Sequence, residues 1–281
     1  MRLFFLIAAA MTAFAANSVL TRVGVFTFGM DPFAFAVVRV AAGAATLGLL
    51  VASKGTSPFR GLLPYWTGAV ALATYMIGFS VAYLSLDAGL GALILFGALQ
   101  VMMFGWAVFK GQAVPVMRWV GCGFACIGLA VLLWPAGTTM VPLGGTIAML
   151  IATAGWAVYT ILGQGAGDPL GTSARNFMLC LPIVALLIPF TGGSLSIGGV
   201  TAAIISGAVT SGLGYALWYR VLPSLPTTVA AVAQLSVPVI AVVAGAIFLA
   251  EPITARMGIA GVLVLGGIAL SNARWVPAGR S

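Results

Sequence analysis

Tyr75, Phe79 and Tyr83 stand four residues apart, so in a helix they share one face. Ser211, Tyr215 and Tyr219 repeat that spacing, with Trp218 beside them. Two such faces brought together would wall a cavity for apolar or aromatic side chains, with the hydroxyls adding a few hydrogen bonds. Lipid contact and helix packing use the same residues, and Tyr83 and Tyr219 also stand where interfacial belt residues stand. Trp156 and Tyr159 add two more rings. Trp156 lies deep in its apolar run, where an indole N–H needs a polar neighbour or a cavity.

Asn17, Gln100 and Gln234 are neutral amides that can meet a carboxylate with N–H groups and an ammonium with oxygen. Holding helices together is their other role. Arg39 is the one charge clearly inside an apolar run, about seven residues or roughly 10 Å from its start. It can bind a substrate carboxylate, or it can snorkel to the interface or pair with Asp31. The parallel pair Asp168 and Arg175 favours the structural use. Asp31, Asp87, Asp168 and Glu251 fall at span ends or in loops, which leaves no carboxylate relay within the bilayer and points to facilitated, gradient-driven movement. With no His, and with two of three Cys (Cys122 and Cys126) one helical turn apart in an apolar run, no zinc site, cofactor or acid/base set is expected. The expectation is therefore not an enzyme.

The elements that must position these residues follow from composition. Of 281 residues 62% are hydrophobic and 6% charged, which excludes a soluble enzyme. The net charge of +8 comes from singly scattered basic residues, so it does not suggest a nucleic-acid partner. A hydrocarbon core about 30 Å thick takes about 20 helical residues. Ten apolar runs of that order are present: 3–20, 33–52, 62–86, 88–109, 117–134, 143–162, 172–190, 200–221, 227–249 and 256–275. They are continuously apolar rather than alternating, which excludes a β-barrel. The expected fold is an all-α polytopic membrane protein with ten transmembrane helices.

If the first residue is cytoplasmic, nine basic residues (Arg2, Lys54, Arg60, Lys110, Arg118, Arg175, Arg220, Arg274 and Arg280) share its side and Arg22 and Arg256 lie opposite. The positive-inside rule then places both termini in the cytoplasm and the chain in the inner, or plasma, membrane. Trp66, Trp119, Trp134 and Trp275 sit near span ends, as interfacial aromatics do. The opening run to Ala16 also fits a cleavable secretory signal, but it stays apolar to Leu20, which is span length.

The two halves of the chain overlay. Asp31-Pro32 with Arg39 recurs as Asp168-Pro169 with Arg175, and Gly78 to Tyr83 recurs as Gly214 to Tyr219. Phe109-Lys110-Gly111-Gln112 recurs as Phe248-Leu249-Ala250-Glu251. An odd number of spans per half forces the second to cross in the opposite sense. The expected domains are thus two inverted five-helix repeats, 1–134 and 143–275, with a substrate site near midplane between them. Of the in-span prolines Pro182, Pro189 and Pro238, the last sits nearest a helix middle and is the expected hinge. Gly is abundant, 37 in all, and allows close helix approach.

With an Arg early in the second span (Val38-Arg39-Val40-Ala41-Ala42-Gly43) and the stretch from Pro238 to Glu251-Pro252-Ile253-Thr254, the sequence resembles the EamA-type members of the drug/metabolite transporter superfamily. It departs from the pattern at Gln112, where the second half has Glu251. Within the superfamily it looks most like the YddG-type exporters of aromatic and other amino acids. The resemblance implies that helices 1, 3, 4, 6, 8 and 9 line the cavity. Asn17, Tyr75, Phe79, Tyr83, Gln100, Trp156, Tyr159, Ser211, Tyr215, Trp218 and Gln234 become the candidate substrate-binding set. It also implies amino acids as the small-molecule partners, and ten helices can enclose such a site as a monomer. Nucleosides, sugar derivatives and drugs are the other small molecules to weigh.

Overall fold

The computed structural model describes residues 2–57, 62–111, 114–134, 141–163, 167–192, 195–221 and 233–272, apart from the side chain of Tyr219. Gln112, Trp275 and the first part of the run expected from Thr227 lie outside that set. The described residues form ten helical segments. We number them α1 (Arg2–Arg22, continued by a π-helical turn Val23–Thr27), α2 (Pro32–Ala52), α3 (Trp66–Ala82) and α4 (Ala88–Phe109). Then come α5 (Val116–Leu133), α6 (Leu143–Gly163), α7 (Pro169–Ala185) and α8, which joins Ile197–Ile205, a π-helical stretch Ser206–Leu213 and Gly214–Val221. Last are α9 (Ser236–Leu249) and α10 (Ala255–Asn272). Seven segments are long and apolar enough to cross a membrane, and Ser236–Leu249 and Ala255–Ser271 are shorter apolar helices. The fold is all-helical and polytopic.

Local chemistry explains the starts of α2 and α7. The Asp31 carboxylate accepts from the N–H groups of Phe33 (2.8 Å) and Ala34 (3.0 Å), and Asp168 accepts from Gly171 (3.0 Å). In both cases proline follows at the first helical position, where its missing N–H costs nothing. Ser196 caps α8 through the N–H of Gly199.

In lipid, helices associate through close packing and hydrogen bonds rather than through apolar burial from water. Small residues therefore sit at the crossings. A Cβ on Gly155 of α6 would lie 2.6 Å from the carbonyl oxygen of Ala71 in α3, and one on Gly207 of α8 would lie within van der Waals overlap of the Arg39 carbonyl in α2. Further contacts pair α2 with α7, α5 with α10, α4 with α6 and α1 with α9. Successive helices alternate in direction. One end of the bundle, the Arg2 face, carries Arg2, Lys110 and Arg118, and the other, the Glu251 face, carries Asp31, Asp87 and Glu251.

Candidate functional site

At the centre, α1, α3, α4, α6 and α8 enclose a chamber of about 50 Å³ together with Gln234. Its lining includes Phe14, Asn17, Ser18, Tyr75, Phe79, Phe96, Trp156, Tyr215 and Gln234. The rings form a connected wall. Trp156 lies 4.9 Å from Tyr75, 5.5 Å from Tyr159 and 5.8 Å from Tyr215, centroid to centroid, and Tyr215 meets Phe14 edge-on at 5.6 Å. Such geometries stabilise aromatic pairs beyond the area they bury.

A wider cavity of about 460 Å³ adjoins the chamber toward the Arg2 face. Phe96 and Gln234 line both spaces, so they form the neck between them. Gln100, Met103, Trp106, Arg118 and Thr160 line the wide part. A cavity of about 150 Å³ is what a benzene ring fills. In this arrangement the wide cavity therefore admits an aromatic side chain and the chamber admits only a small polar group.

On the other side the chamber is sealed. Phe79 stacks edge-on against Tyr83 at 4.8 Å, and the Tyr83 hydroxyl donates to the Ala88 carbonyl. Beyond it Arg22, in the last turn of α1, donates from Nη1 to the Tyr83 carbonyl (3.0 Å) and from Nη2 to Asp87 (3.4 Å), while its Nε lies 3.6 Å from Glu251. Its guanidinium also covers the Phe26 ring at 3.5 Å. A cation suits the C-terminal end of a helix, where carbonyls point outward.

The expected residues thus separate by position. Asn17, Tyr75, Phe79, Trp156, Tyr215 and Gln234 line the chamber, and Gln100 lines only the wide cavity. Tyr83, fully buried, belongs to the seal. Tyr159 backs Trp156 and donates to Ser173 at 3.3 Å. Trp218 packs against Phe14 in a separate apolar cluster with Met11 and Val237. Ser211 is buried behind the wall and bonds to Asn17 and Arg39. Phe14, Ser18 and Phe96 were not anticipated, although Phe14 stands three residues before Asn17 and Phe96 four before Gln100, which places each on the same helix face.

One expectation changes. Arg39 neither snorkels nor pairs with Asp31: it is 0% exposed, and the Asp31 carboxylate is engaged in capping α2. The parallel Arg175 does approach Asp168, at 3.9 Å. Pro238, the expected hinge, lies three residues after Leu235, a turn residue between helical Ala233 and Gln234 and the start of α9 at Ser236.

The π-helical stretch of α8 gathers a polar cluster. Ser206 at 2.9 Å, Thr210 at 2.5 Å and Ser211 at 3.4 Å all donate to the single oxygen Oδ1 of Asn17. With its oxygen so used, the Asn17 amide has N–H groups to offer a ligand.

The comparisons agree with this architecture. The model of the EamA-like transporter family matches residues 143–273. An uncharacterized protein of Pseudomonas aeruginosa is 43% identical over 93% of this chain and 91% of its own length. An uncharacterized transporter of Archaeoglobus fulgidus is 25% identical over 72% of this chain and 74% of its own. A crystal structure of another protein, 19% identical, covers 95% of this chain and 97% of that one with a TM-score of 0.69, which is a likeness of fold. This chain belongs to the EamA-like transporter family and is a membrane transporter of small substrates.

Proposed function

We propose that the chain exports amino acids with aromatic or other uncharged, apolar side chains, working as a monomer in the inner membrane with both termini in the cytoplasm. The observation that carries this reading is the aromatic chamber, joined through Gln234 to a cavity on the Arg2 face and closed by Tyr83 and Arg22 on the other. The Arg2 face carries most of the basic residues and is thus the cytoplasmic side by the positive-inside rule. The structure then represents a state loaded from the cytoplasm. The polar end of the substrate meets the amides of Asn17 and Gln234 at the chamber, and its side chain rests in the wide cavity against Phe96, Phe104 and Trp106.

Two inverted units, 1–134 and 143–275, rocking about the chamber would expose it alternately to each face. Three features support this division. The two Asp-Pro caps begin α2 and α7, the second helix of each unit. Gly111 and Ala250, at equivalent places after α4 and α9, both take positive φ, 65° and 53°. Gly78 of α3 abuts α6 while its equivalent Gly214 of α8 abuts α1, as an exchange of units requires.

The test is uptake of labelled Phe, Trp, Met and Thr, alongside a nucleoside, into liposomes carrying the purified protein. Saturable amino-acid uptake that falls at least tenfold in Trp156→Ala and Gln234→Ala is expected. Nucleoside uptake without amino-acid uptake overturns the substrate reading.

A further inference from the structure

We propose that Arg39 is the counter-ion for a carboxylate on the substrate, and that recognition at this site rests on that carboxylate and not on the ammonium. The proposal deepens the exporter reading above and names the ligand chemistry of the same chamber.

The chain has four carboxylates, and each is engaged elsewhere. Asp31 caps α2, Asp168 caps α7 beside Arg175, and Asp87 and Glu251 meet Arg22 at the Glu251 face. Among the described residues no acid lies within ion-pair distance of Arg39. Arg39 is nevertheless 0% exposed. Its Nε and Nη2 share one neutral acceptor, Ser211 Oγ, at 3.4 and 3.3 Å, and Nη1 is buried without a partner.

A guanidinium keeps its charge inside a protein. A buried cation with an unused N–H is therefore stabilised by any anion that reaches it, and the fork of donors suits a carboxylate. Arg39 lies directly behind the chamber wall, so an anion in the chamber reaches it past Tyr75 and Phe79. The guanidinium carbon lies 5.1 Å from the Phe79 ring centroid and 5.7 Å from that of Tyr75, and both rings line the chamber. Ser211 links Arg39 to Asn17, whose remaining donors also favour an acceptor. At about 50 Å³ the chamber suits a carboxylate head, with the side chain extending through the neck at Gln234 into the wide cavity. Among the described residues, no carboxylate lines the chamber to match an ammonium. Aromatic carboxylates without an amino group should thus be ligands, and the corresponding amines should not.

The experiment measures direct binding of 3-phenylpropanoate and of phenethylamine to the purified protein in detergent by calorimetry, separately from any transport assay. The expected result is binding of the carboxylate at least tenfold tighter than the amine. It should weaken at least tenfold in Arg39→Gln and be largely kept in Arg39→Lys. If Arg39→Gln does not fold, the carboxylate-to-amine ratio in the unaltered protein decides alone. Equal or tighter binding of the amine, or no binding of the carboxylate, overturns the proposal. If 3-phenylpropanoate binds through Arg39 while labelled amino acids are not moved, the amino-acid reading fails and the anion site stands. If Phe is moved but 3-phenylpropanoate does not bind, the reverse holds.

Discussion

Both carboxylate oxygens of Glu251 lie 2.9 Å from the main-chain nitrogen of Ala88, the first residue of α4. A side chain from the α9–α10 connection thus caps the start of α4, and the same carboxylate pairs with Arg22 at the end of α1. Three helix ends are held at one point, on the side where the chamber is closed. Both partners are nearly buried, at 9% and 11% exposure, so removing one leaves an uncompensated charge. Glu251→Ala should destabilise by about 3 kcal/mol through the broken buried pair and lost cap. Glu251→Gln keeps an acceptor for Ala88 and should cost less. The check is thermal melting in detergent. A second check is labelling of an Ala92→Cys chamber probe, without the native cysteines, by an impermeant thiol reagent from the Glu251 face. Labelling as slow as in the parent would show that the seal does not depend on Glu251.

The same carboxyl gives a pH dependence with a definite sign. Burial raises the pKa of Glu251 above its ordinary value of 4.5, against the lowering effects of the Ala88 N–H and Arg22. A carboxyl that holds its proton more tightly in the sealed arrangement than in water stabilises that arrangement as pH falls. The contribution is fully present below the ordinary value and is lost as pH rises through the raised one. Exit through the Glu251 face should therefore slow as pH drops across that window, and Glu251→Gln should flatten the profile. Flux into liposomes at stepped pH measures it, and acceleration in acid contradicts it.

Much of this was legible from local pattern. The α4 helix spans Ala88–Phe109 as the hydrophobic run requires, and the Asp-Pro pairs at 31 and 168 cap helices as their chemistry dictates. Tyr75 and Phe79 share a wall because their spacing does. The setting of Arg39 was not legible, because it depends on a π-helical stretch of α8, 172 residues away at Ser211, and on where every acid in the chain is spent. The seat of Glu251 on Ala88 spans 163 residues and leaves no periodic trace. The interruption at Leu235, three residues before Pro238, leaves no trace in an apolar run that reads as continuous.

Two glycines separate crossing from filler. A Cβ on Gly207 would overlap the Arg39 carbonyl, which is backbone and cannot rotate away, whereas a Cβ on Gly123 meets nothing within 4 Å. Gly207→Ala should force α2 and α8 apart at a cost of about 1–3 kcal/mol. Gly123→Ala should stabilise α5 by up to about 1 kcal/mol through helix propensity. Melting of the two variants side by side tests it. A Gly207→Ala protein as stable as the parent would mean that the α2–α8 crossing can relax, and the setting of Arg39 behind the chamber wall with it.

Ala250 adopts the left-handed conformation, with φ 53°, at the end of α9, the one such residue other than glycine among the described residues. The N–H groups of Ala250 and Glu251 both turn back to the Gly245 carbonyl, and this reversal aims the Glu251 side chain at Ala88. A side chain there costs roughly 1–2 kcal/mol that glycine avoids, partly offset by glycine's greater freedom in the unfolded chain. After α4, Gly111 also takes positive φ, 65°, where no such cost arises. Ala250→Gly should therefore stabilise the protein by about 1 kcal/mol, seen as a higher melting temperature, while leaving transport and its pH profile unchanged, and Ala250→Val should lower the melting temperature. A stabilised Ala250→Gly protein with altered pH dependence would instead mean that the strained turn tunes Glu251, because relaxing it would then have moved the carboxylate off Ala88.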